Sequence, residues 1–258
     1  MFRQRLPNEF IRYLAGDSTA GEQDGANGCA EDTDRLPSLG QLSAELGLSV
    51  SKLREQLEVA RALGFVEVRP RTGIRRQPYS FTPAVRQSLN YAVALDPAFF
   101  DDYADLRNQV EAAYWQPAVG LLLSEDLIYL QALITQAWDK LRGSPIRIPH
   151  REHRELHLAI YRRLENPFVL GILEAFWDAY EAFGLNLYAD YGYLEQVWTY
   201  HQQMVNAIQA GAFDVGYQAL IEHKDLLHHR PITSRTPVQP NGNQPELGTV
   251  SRTQPDSE

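Results

Sequence analysis

The length, composition and charge of the chain are those of a globular protein and exclude several classes. Its 258 residues are 44% hydrophobic, enough for one large domain or two smaller ones, and the single cysteine excludes an internal disulfide. There is no N-terminal signal region, and no apolar run approaches the roughly 20 residues that a bilayer crossing needs. We therefore expect a cytoplasmic protein that does not bind membranes.

The first predicted element is a short helix at residues 8–14, followed by an acidic segment at 16–34. The segment holds six carboxylates, no basic residue before position 35 and almost no bulky apolar side chain. It buries too little surface to offset the entropy of ordering, so we expect a mobile insertion. The alternative is an acidic segment that mimics a nucleic-acid strand and competes with DNA.

Residues 36–76 carry, in order, the signals of a winged helix-turn-helix. Ser38 is a suitable N-cap for a first helix, and Gly47 is suited to the tight turn that ends it. Ser49 caps the next helix, whose inward positions are Leu53, Leu57 and Ala60. Its outward N-terminal end carries Ser51, Lys52 and Arg54, where a recognition helix meets base edges. Residues 65–68 then form a predicted strand, and 69–76 the tip of a hairpin that suits phosphate contacts.

The charge distribution separates this segment from the rest of the chain. Residues 35–80 contain eight basic and four acidic residues, a net charge of +4, which leaves −13 for the remainder of a chain whose total is −9. A purely electrostatic nucleic-acid binder would not need so acidic a body. We therefore predict three parts: a DNA-binding domain at 1–80, an effector and dimerisation domain at 81–230, and a disordered, proline-rich tail at 231–258.

From about residue 82 onward the hydrophobic pattern is helical, and no convincing strand pattern occurs. The predicted helices span residues 82–95, 97–115, 124–141, 148–164, 167–187, 193–210 and 214–228. Prolines fall at or near the predicted helix ends, and Gly211 lies where a C-terminal cap is expected. The predicted fold class is mainly α: a winged helix-turn-helix followed by an antiparallel bundle of about seven helices.

Four histidines of the bundle lie on inward faces of three predicted helices. His153 and His157 are four residues apart and share a face, while His201 and His223 each lie on an apolar stripe. Any one of them alone is more simply a core histidine. Together they predict a nitrogen-rich site for a divalent transition metal, with zinc first and nickel, copper or iron as alternatives.

The chain resembles the GntR family of transcription regulators, and its body resembles the FadR-type subgroup with an FCD effector domain. The resemblance covers residues 8–230 except the acidic insertion. It implies that an Asp and a His four residues later, with a His on each of two later helices, bind a divalent metal. These positions fall on His153, His157, His201 and His223, so His153 replaces the usual Asp. The replacement either makes the site more positive, favouring an anionic effector, or removes His153 from the ligand set.

In the same way, the RNQVE segment places Arg107 where the family presents an arginine to its effector. Arg107 is predicted to clamp a small carboxylate bidentately; the alternative is an ion pair with Glu111, one helical turn away.

The head both matches and departs from its family. Leu39 and Gly40 replace a usual Glu-Arg pair, and Val50 replaces an arginine. The predicted DNA-contacting residues are Ser49, Ser51, Lys52, Arg54, Arg69, Arg71 and Gly73. An alternative is a winged helix that contacts proteins.

These features predict a homodimeric, ligand-responsive transcription regulator. It would bind a palindromic double-stranded DNA operator and a small carboxylate effector, and would not be an enzyme. Two alternatives are a metal-dependent helical-bundle enzyme and a metal-free dimerisation module. The sequence contains no Glu-x-x-His pair, the usual signature of di-iron bundles.

Overall fold

The computed structural model describes Leu6 and residues 8–16, 34–70, 73–182 and 190–228. The head contains α1 (Glu9–Leu14), α2 (Leu39–Leu46), α3 (Val50–Ala62), β1 (Val66–Arg69) and β2 (Gly73–Arg76). The body contains α4 (Thr82–Leu95), α5 (Phe99–Val119), α6 (Ser124–Leu141), α7 (His150–Tyr161), α8 (Pro167–Ala182), α9 (Tyr191–Gln209) and α10 (Phe213–His228). The predicted fold class is confirmed. Most of the acidic insertion and the whole tail lie outside the described residues.

The helix-turn-helix is fixed by the caps that the sequence predicts. The Ser38 hydroxyl accepts from the Gln41 amide at 3.4 Å, and the Gln41 side chain accepts from the Ser38 amide at 2.9 Å, a reciprocal capping box. Gly47 ends α2 with a φ of 65°. Ser49 then starts α3 by accepting from the Lys52 amide at 3.2 Å. These bonds set the angle between α2 and α3.

The wing differs from its prediction. Residues 69–76 were expected to form a hairpin tip, but Arg69 ends β1 and residues 73–76 form β2, with Val66 opposite Arg76 and Val68 opposite Ile74. Burial of apolar side chains explains the second strand, because Val66 and Ile74 both lie in the head core. That core also contains Phe10, Ile11, Leu42, Leu53, Leu57 and Ala60. The two strands therefore take up part of the segment that was predicted as the tip.

The body is a bundle with one continuous core between α5, α6, α7, α8, α9 and α10. Its helix bounds follow the prediction closely, except that α5 continues past Pro117 to Val119 and α7 ends at Tyr161. Residues 183–187 of the helix predicted at 167–187 lie outside the described residues. The start of helix α4 lies close against α8 at Gly171, where there is no room for a side chain. A Cβ added to Gly171 would be only 2.8 Å from the Cβ of Phe81 and 3.0 Å from the Thr82 nitrogen. Among the described residues, no helix is both long and apolar enough to span a bilayer.

Aromatic rings connect the head to the body. The ring of Tyr79, in the linker, lies 6.3 Å from Phe65 of the head and 5.9 Å from Phe168 of α8. Phe168 also contacts Phe81, at 5.3 Å and nearly edge-on. The linker is thus packed against both parts rather than extended between them.

A hydrogen bond and two ion pairs attach the first helix of the body to α7 and α8. Thr82 donates to Glu174 of α8, and Arg86 of α4 lies 3.2 Å from Asp178. The other oxygen of Asp178 lies 2.8 Å from Arg154 of α7. Asp178 therefore joins α4, α7 and α8 at one carboxylate.

Candidate metal centre

Three helices bring the four predicted histidines together. Helix α7 carries His153 and His157 on one face, α9 carries His201 and α10 carries His223. One ring nitrogen from each residue lies within 4.8 Å of the corresponding nitrogens of the others. His157, His201 and His223 are buried, and His153 is partly buried. The structure thus assembles the whole predicted set, including His153; metal binding itself remains a prediction.

The donor atoms of this cluster fit a shared cation. His157 Nε2 and His201 Nε2 are 3.1 Å apart. Two nitrogens bound to one tetrahedral zinc, at about 2.0–2.1 Å each, would be about 3.3 Å apart. His223 Nδ1 and His153 Nε2 are buried and have no hydrogen-bond partner among the described residues. Buried polar atoms without partners are costly, and a metal satisfies several nitrogens at once.

The electrostatics keep the imidazoles neutral. Burial lowers the pKa of all four histidines well below its usual range. Arg107 lowers all four further, and neighbouring histidines add to the effect at His153, His201 and His223. Neutral imidazole is the form that binds a metal. An all-imidazole donor set suits zinc, nickel, copper or iron better than magnesium or calcium.

On the other side of His157, α5 contributes a buried ion pair. Arg107 Nη2 lies 3.0 Å from Glu111 Oε1, and both side chains are only 2% exposed. Arg107 Nη1 also donates to Asn108 at 3.1 Å. Burial raises the pKa of Glu111, and Arg107 opposes that rise. The structure therefore contains the ion pair considered as the alternative for Arg107, while its role toward an effector remains a prediction.

Trp177 is a residue of the site that sequence reasoning missed. Its ring on α8 lies 4.6 Å from His153 and 5.4 Å from His157, and the Arg107 guanidinium lies 5.5 Å from its centroid. The indole Nε1 is buried without a hydrogen-bond partner among the described residues. In the sequence Trp177 belongs to an apolar helical stripe that is typical of core, so no signal separated it from its neighbours.

A small cavity adjoins His153. Its volume of about 20 Å³ is close to what one water occupies. It is lined by Ile148, Pro149, His150, His153, Tyr180, Tyr193, Leu194, Val197 and Trp198. An organic ligand larger than water therefore requires these side chains to move.

The predicted DNA-contacting residues of α3 are exposed but differ in their partners. The Ser49 hydroxyl is used as the cap of α3. Lys52 Nζ lies 2.9 Å from Glu9 of α1. Arg54 is exposed and makes no hydrogen bond or ion pair with any described residue. Gln56, also missed from the sequence, is buried and accepts from the Phe10 amide at 2.8 Å, which fixes α1 against α3.

The predicted DNA-contacting residues of the wing are Arg69, Arg71 and Gly73. Arg69 Nε lies 2.7 Å from Glu67 within β1. Gly73 starts β2 with a φ of 85°, a conformation that favours glycine. Arg71 lies outside the described residues.

Comparison with known protein families finds a match for the body. Residues 102–226 match the FCD domain family, the segment that carries all four histidines, Arg107 and Trp177. These residues form an FCD domain. The predicted resemblance of the body to the FCD domain is confirmed. No curated protein matches the chain.

Of three similar solved structures, one shares the overall fold. A GntR protein of Streptococcus agalactiae is 18% identical, with a TM-score of 0.56, over 75% of this chain and 88% of its own. E. coli McbR/YncC is 19% identical, with a TM-score of 0.44, over 74% and 84%. A GntR-family transcriptional regulator of Pseudomonas syringae is 20% identical, with a TM-score of 0.39, over 74% and 72%. The first of these supports the winged head plus FCD bundle as a fold.

Proposed function

We propose that this FCD protein is a ligand-responsive transcription regulator. The head binds double-stranded operator DNA, and the body binds a divalent transition metal together with a small organic acid. The observation that carries the proposal is the cluster of four histidine nitrogens within 4.8 Å, inside a bundle attached to a winged head. An enzyme would have no evident use for the basic head.

Zinc is the first candidate for the metal, with nickel as the alternative. The test is metal content by mass spectrometry after purification without chelators. We expect about one metal per chain in the wild type and none in a His157→Ala, His201→Ala variant. His150→Ala is the matched control, because His150 lies on α7 outside the four-histidine cluster. Equal metal content in the wild type and the double variant would remove the site.

The proposed effector is an anion because the site holds buried donors without acceptors. Arg107 Nε and Trp177 Nε1 have no hydrogen-bond partner among the described residues. A carboxylate accepts from two N–H groups and can place an oxygen on a metal. Native mass spectrometry of the purified protein, followed by identification of any released acid, tests this proposal. An unconsumed acid supports a sensor, whereas product formation would support the metalloenzyme.

The DNA proposal rests on α3, where Arg54 is exposed and has no partner within the part of the chain that the structure describes. In a homodimer two such helices would enter successive major grooves about one helical turn apart. Selection from a random double-stranded DNA pool, followed by fluorescence anisotropy at several salt concentrations, is the test. Absence of salt-sensitive, sequence-preferring binding, with or without metal, would overturn the regulator proposal.

We propose that a second copy of the chain covers a groove between α4 and α5. The groove has a volume of about 540 Å³ and is lined mainly by apolar side chains, among them Val85, Leu89 and Leu106. Exposed apolar surface of this kind is typical of an interface. We expect Leu106→Glu to convert dimers to monomers in light scattering. Ile128→Glu, which changes an exposed apolar residue of α6, should leave the dimer intact.

A further inference from the structure

Two buried groups meet at the ring nitrogen of His157 that faces away from His201. His157 Nδ1 lies 3.0 Å from Glu111 Oε1 and 2.9 Å from Arg107 Nη2. Arg107 Nη2 and Glu111 Oε1 are themselves 3.0 Å apart. All three side chains are at most 2% exposed, so water does not replace any of these contacts.

His157 Nδ1 has a choice between two partners of opposite kind. A guanidinium can only donate a hydrogen bond, and an ionised carboxylate can only accept one. If the proton of the neutral ring is on Nδ1, Nδ1 donates to Glu111 and Nε2 keeps its lone pair. If the proton is on Nε2, Nδ1 accepts from Arg107 and Nε2 has no lone pair for a metal.

The orientation of the ring makes this choice matter. His157 Nε2 is the atom that faces the cluster, since it lies 3.1 Å from His201 Nε2. Only the tautomer with its proton on Nδ1 presents a lone pair there. In metal sites a carboxylate that accepts from the distal ring nitrogen commonly fixes this tautomer.

We infer that Glu111 is the positioning residue of the metal centre: its carboxylate accepts from His157 Nδ1, against competition from Arg107, and so keeps Nε2 free to bind a metal. The inference rests on the proposed metal function but concerns a residue outside the ligand set. It gives the buried ion pair of α5 a second role. Arg107 neutralises Glu111, and it is also the donor that would reverse the tautomer.

The direct test is the tautomer of His157 in the full-length, metal-free protein near neutral pH. Long-range ¹H–¹⁵N correlation spectra of ¹⁵N-histidine-labelled protein distinguish a protonated Nδ1 from a protonated Nε2, and the His157→Ala spectrum assigns the signals. We expect the wild type to be protonated at Nδ1. A proton mainly on Nε2 would overturn the inference, whether or not the protein binds metal.

Variants then separate positioning from general stability. Glu111→Leu should move the proton of His157 to Nε2 and weaken zinc binding by about 10- to 100-fold, measured by competition with a chromophoric chelator. Glu111→Gln retains a side-chain oxygen that can accept from Nδ1, so it should restore the wild-type tautomer and most of the zinc affinity. Unchanged tautomer and affinity in Glu111→Leu would overturn the inference.

Glu152 provides a matched control. It is also a buried carboxylate paired with a cation, since both its oxygens lie 2.7 Å from Lys140 Nζ, and it lies on the same helix as His157. Glu152→Leu should lower the melting temperature without changing the His157 tautomer. A shift of the tautomer in this control as well would show that loss of stability, rather than loss of Glu111, is the cause. If the wild type binds no zinc yet His157 is protonated at Nδ1, the metal proposal fails and the role of Glu111 in setting the ring survives.

Discussion

In the head, Arg54 lies on the surface without a partner among the described residues, and Lys52, also on the surface, is paired with the partly exposed carboxylate of Glu9. In the body, Arg107 and Glu111 are buried together beside three buried histidines. Exposed ion pairs contribute little to stability, whereas breaking a buried pair leaves a charge that water cannot reach. The head can therefore vary its charges at small cost, and the body cannot.

The largest loss of stability is expected when the buried ion pair is broken at Arg107. Arg107→Met leaves Glu111 buried without its cation, and we expect the free energy of unfolding, measured with urea, to fall by about 3–5 kcal/mol. Arg162→Met is the control, because Arg162 forms an exposed pair with Glu155 at 3.5 Å and should lose at most about 1 kcal/mol. Adding Glu111→Leu to Arg107→Met should recover most of the loss. A change below that of the control would contradict the comparison.

The head and the body should also differ in how they tolerate an added methyl group, which can be tested at one glycine in each. Gly171→Ala places a Cβ 3.0 Å from the Thr82 nitrogen, so α4 and α8 must move apart, and we expect a loss of about 1–3 kcal/mol. Gly40→Ala has nothing within 4 Å of its Cβ and lies in α2, so it should stabilise the head by up to about 1 kcal/mol. Opposite signs in thermal unfolding would support the comparison, and equal losses would argue against it.

In the head, the partner of each basic residue should set its effect on DNA affinity. Arg54→Ala should cost about 1–3 kcal/mol of specific binding if Arg54 contacts a base. Lys52→Ala should cost less, because its ammonium is already paired with Glu9. Glu9→Gln should free Lys52, strengthen binding and raise the salt slope by about 1 in fluorescence anisotropy. Equal losses for Lys52→Ala and Arg54→Ala would show that the Glu9 pair does not matter.

The smallest expected effect is the pH dependence of the Glu9 pair. Hydrogen bonding to Lys52 lowers the pKa of Glu9 from 4.5 to about 2. Because the folded-state pKa is the lower one, the stabilisation is present above pH 4.5 and disappears as the pH falls toward 2. The melting temperature of the wild type should therefore exceed that of Glu9→Gln slightly at pH 6 and equal it only below about pH 2. A constant difference across this range would assign the effect to another cause.

Local signals predicted much of this structure. The caps at Ser38 and Ser49 and the glycine at position 47 depend on the chain nearby, and the structure has them where the sequence placed them. The i, i+4 spacing of His153 and His157, with two further histidines on apolar stripes, was enough to expect one cluster. Such features need no knowledge of how distant helices pack.

The features that the sequence did not predict depend on contacts between distant segments. Lys52 appeared free because its partner Glu9 is 43 positions away in the chain. In the sequence, Trp177 and Gln56 look like ordinary helix residues. Trp177 gains its role only by packing against His153 of α7, and Gln56 only by its hydrogen bond to Phe10 of α1. The second strand of the wing was missed because burial of Ile74, rather than a period-2 pattern, stabilises it.

The carboxylate of Asp178 makes the histidine helix and the first helix of the body one mechanical unit. Helix α7 carries Arg154 between His153 and His157, so any rotation of α7 about its axis moves the guanidinium together with the two imidazoles. Arg154 and Arg86 are held by the two oxygens of the same residue. Such a rotation therefore changes the Arg154–Asp178 contact and, through the same carboxylate, the contact with Arg86 of α4, the helix that follows the linker from the winged head.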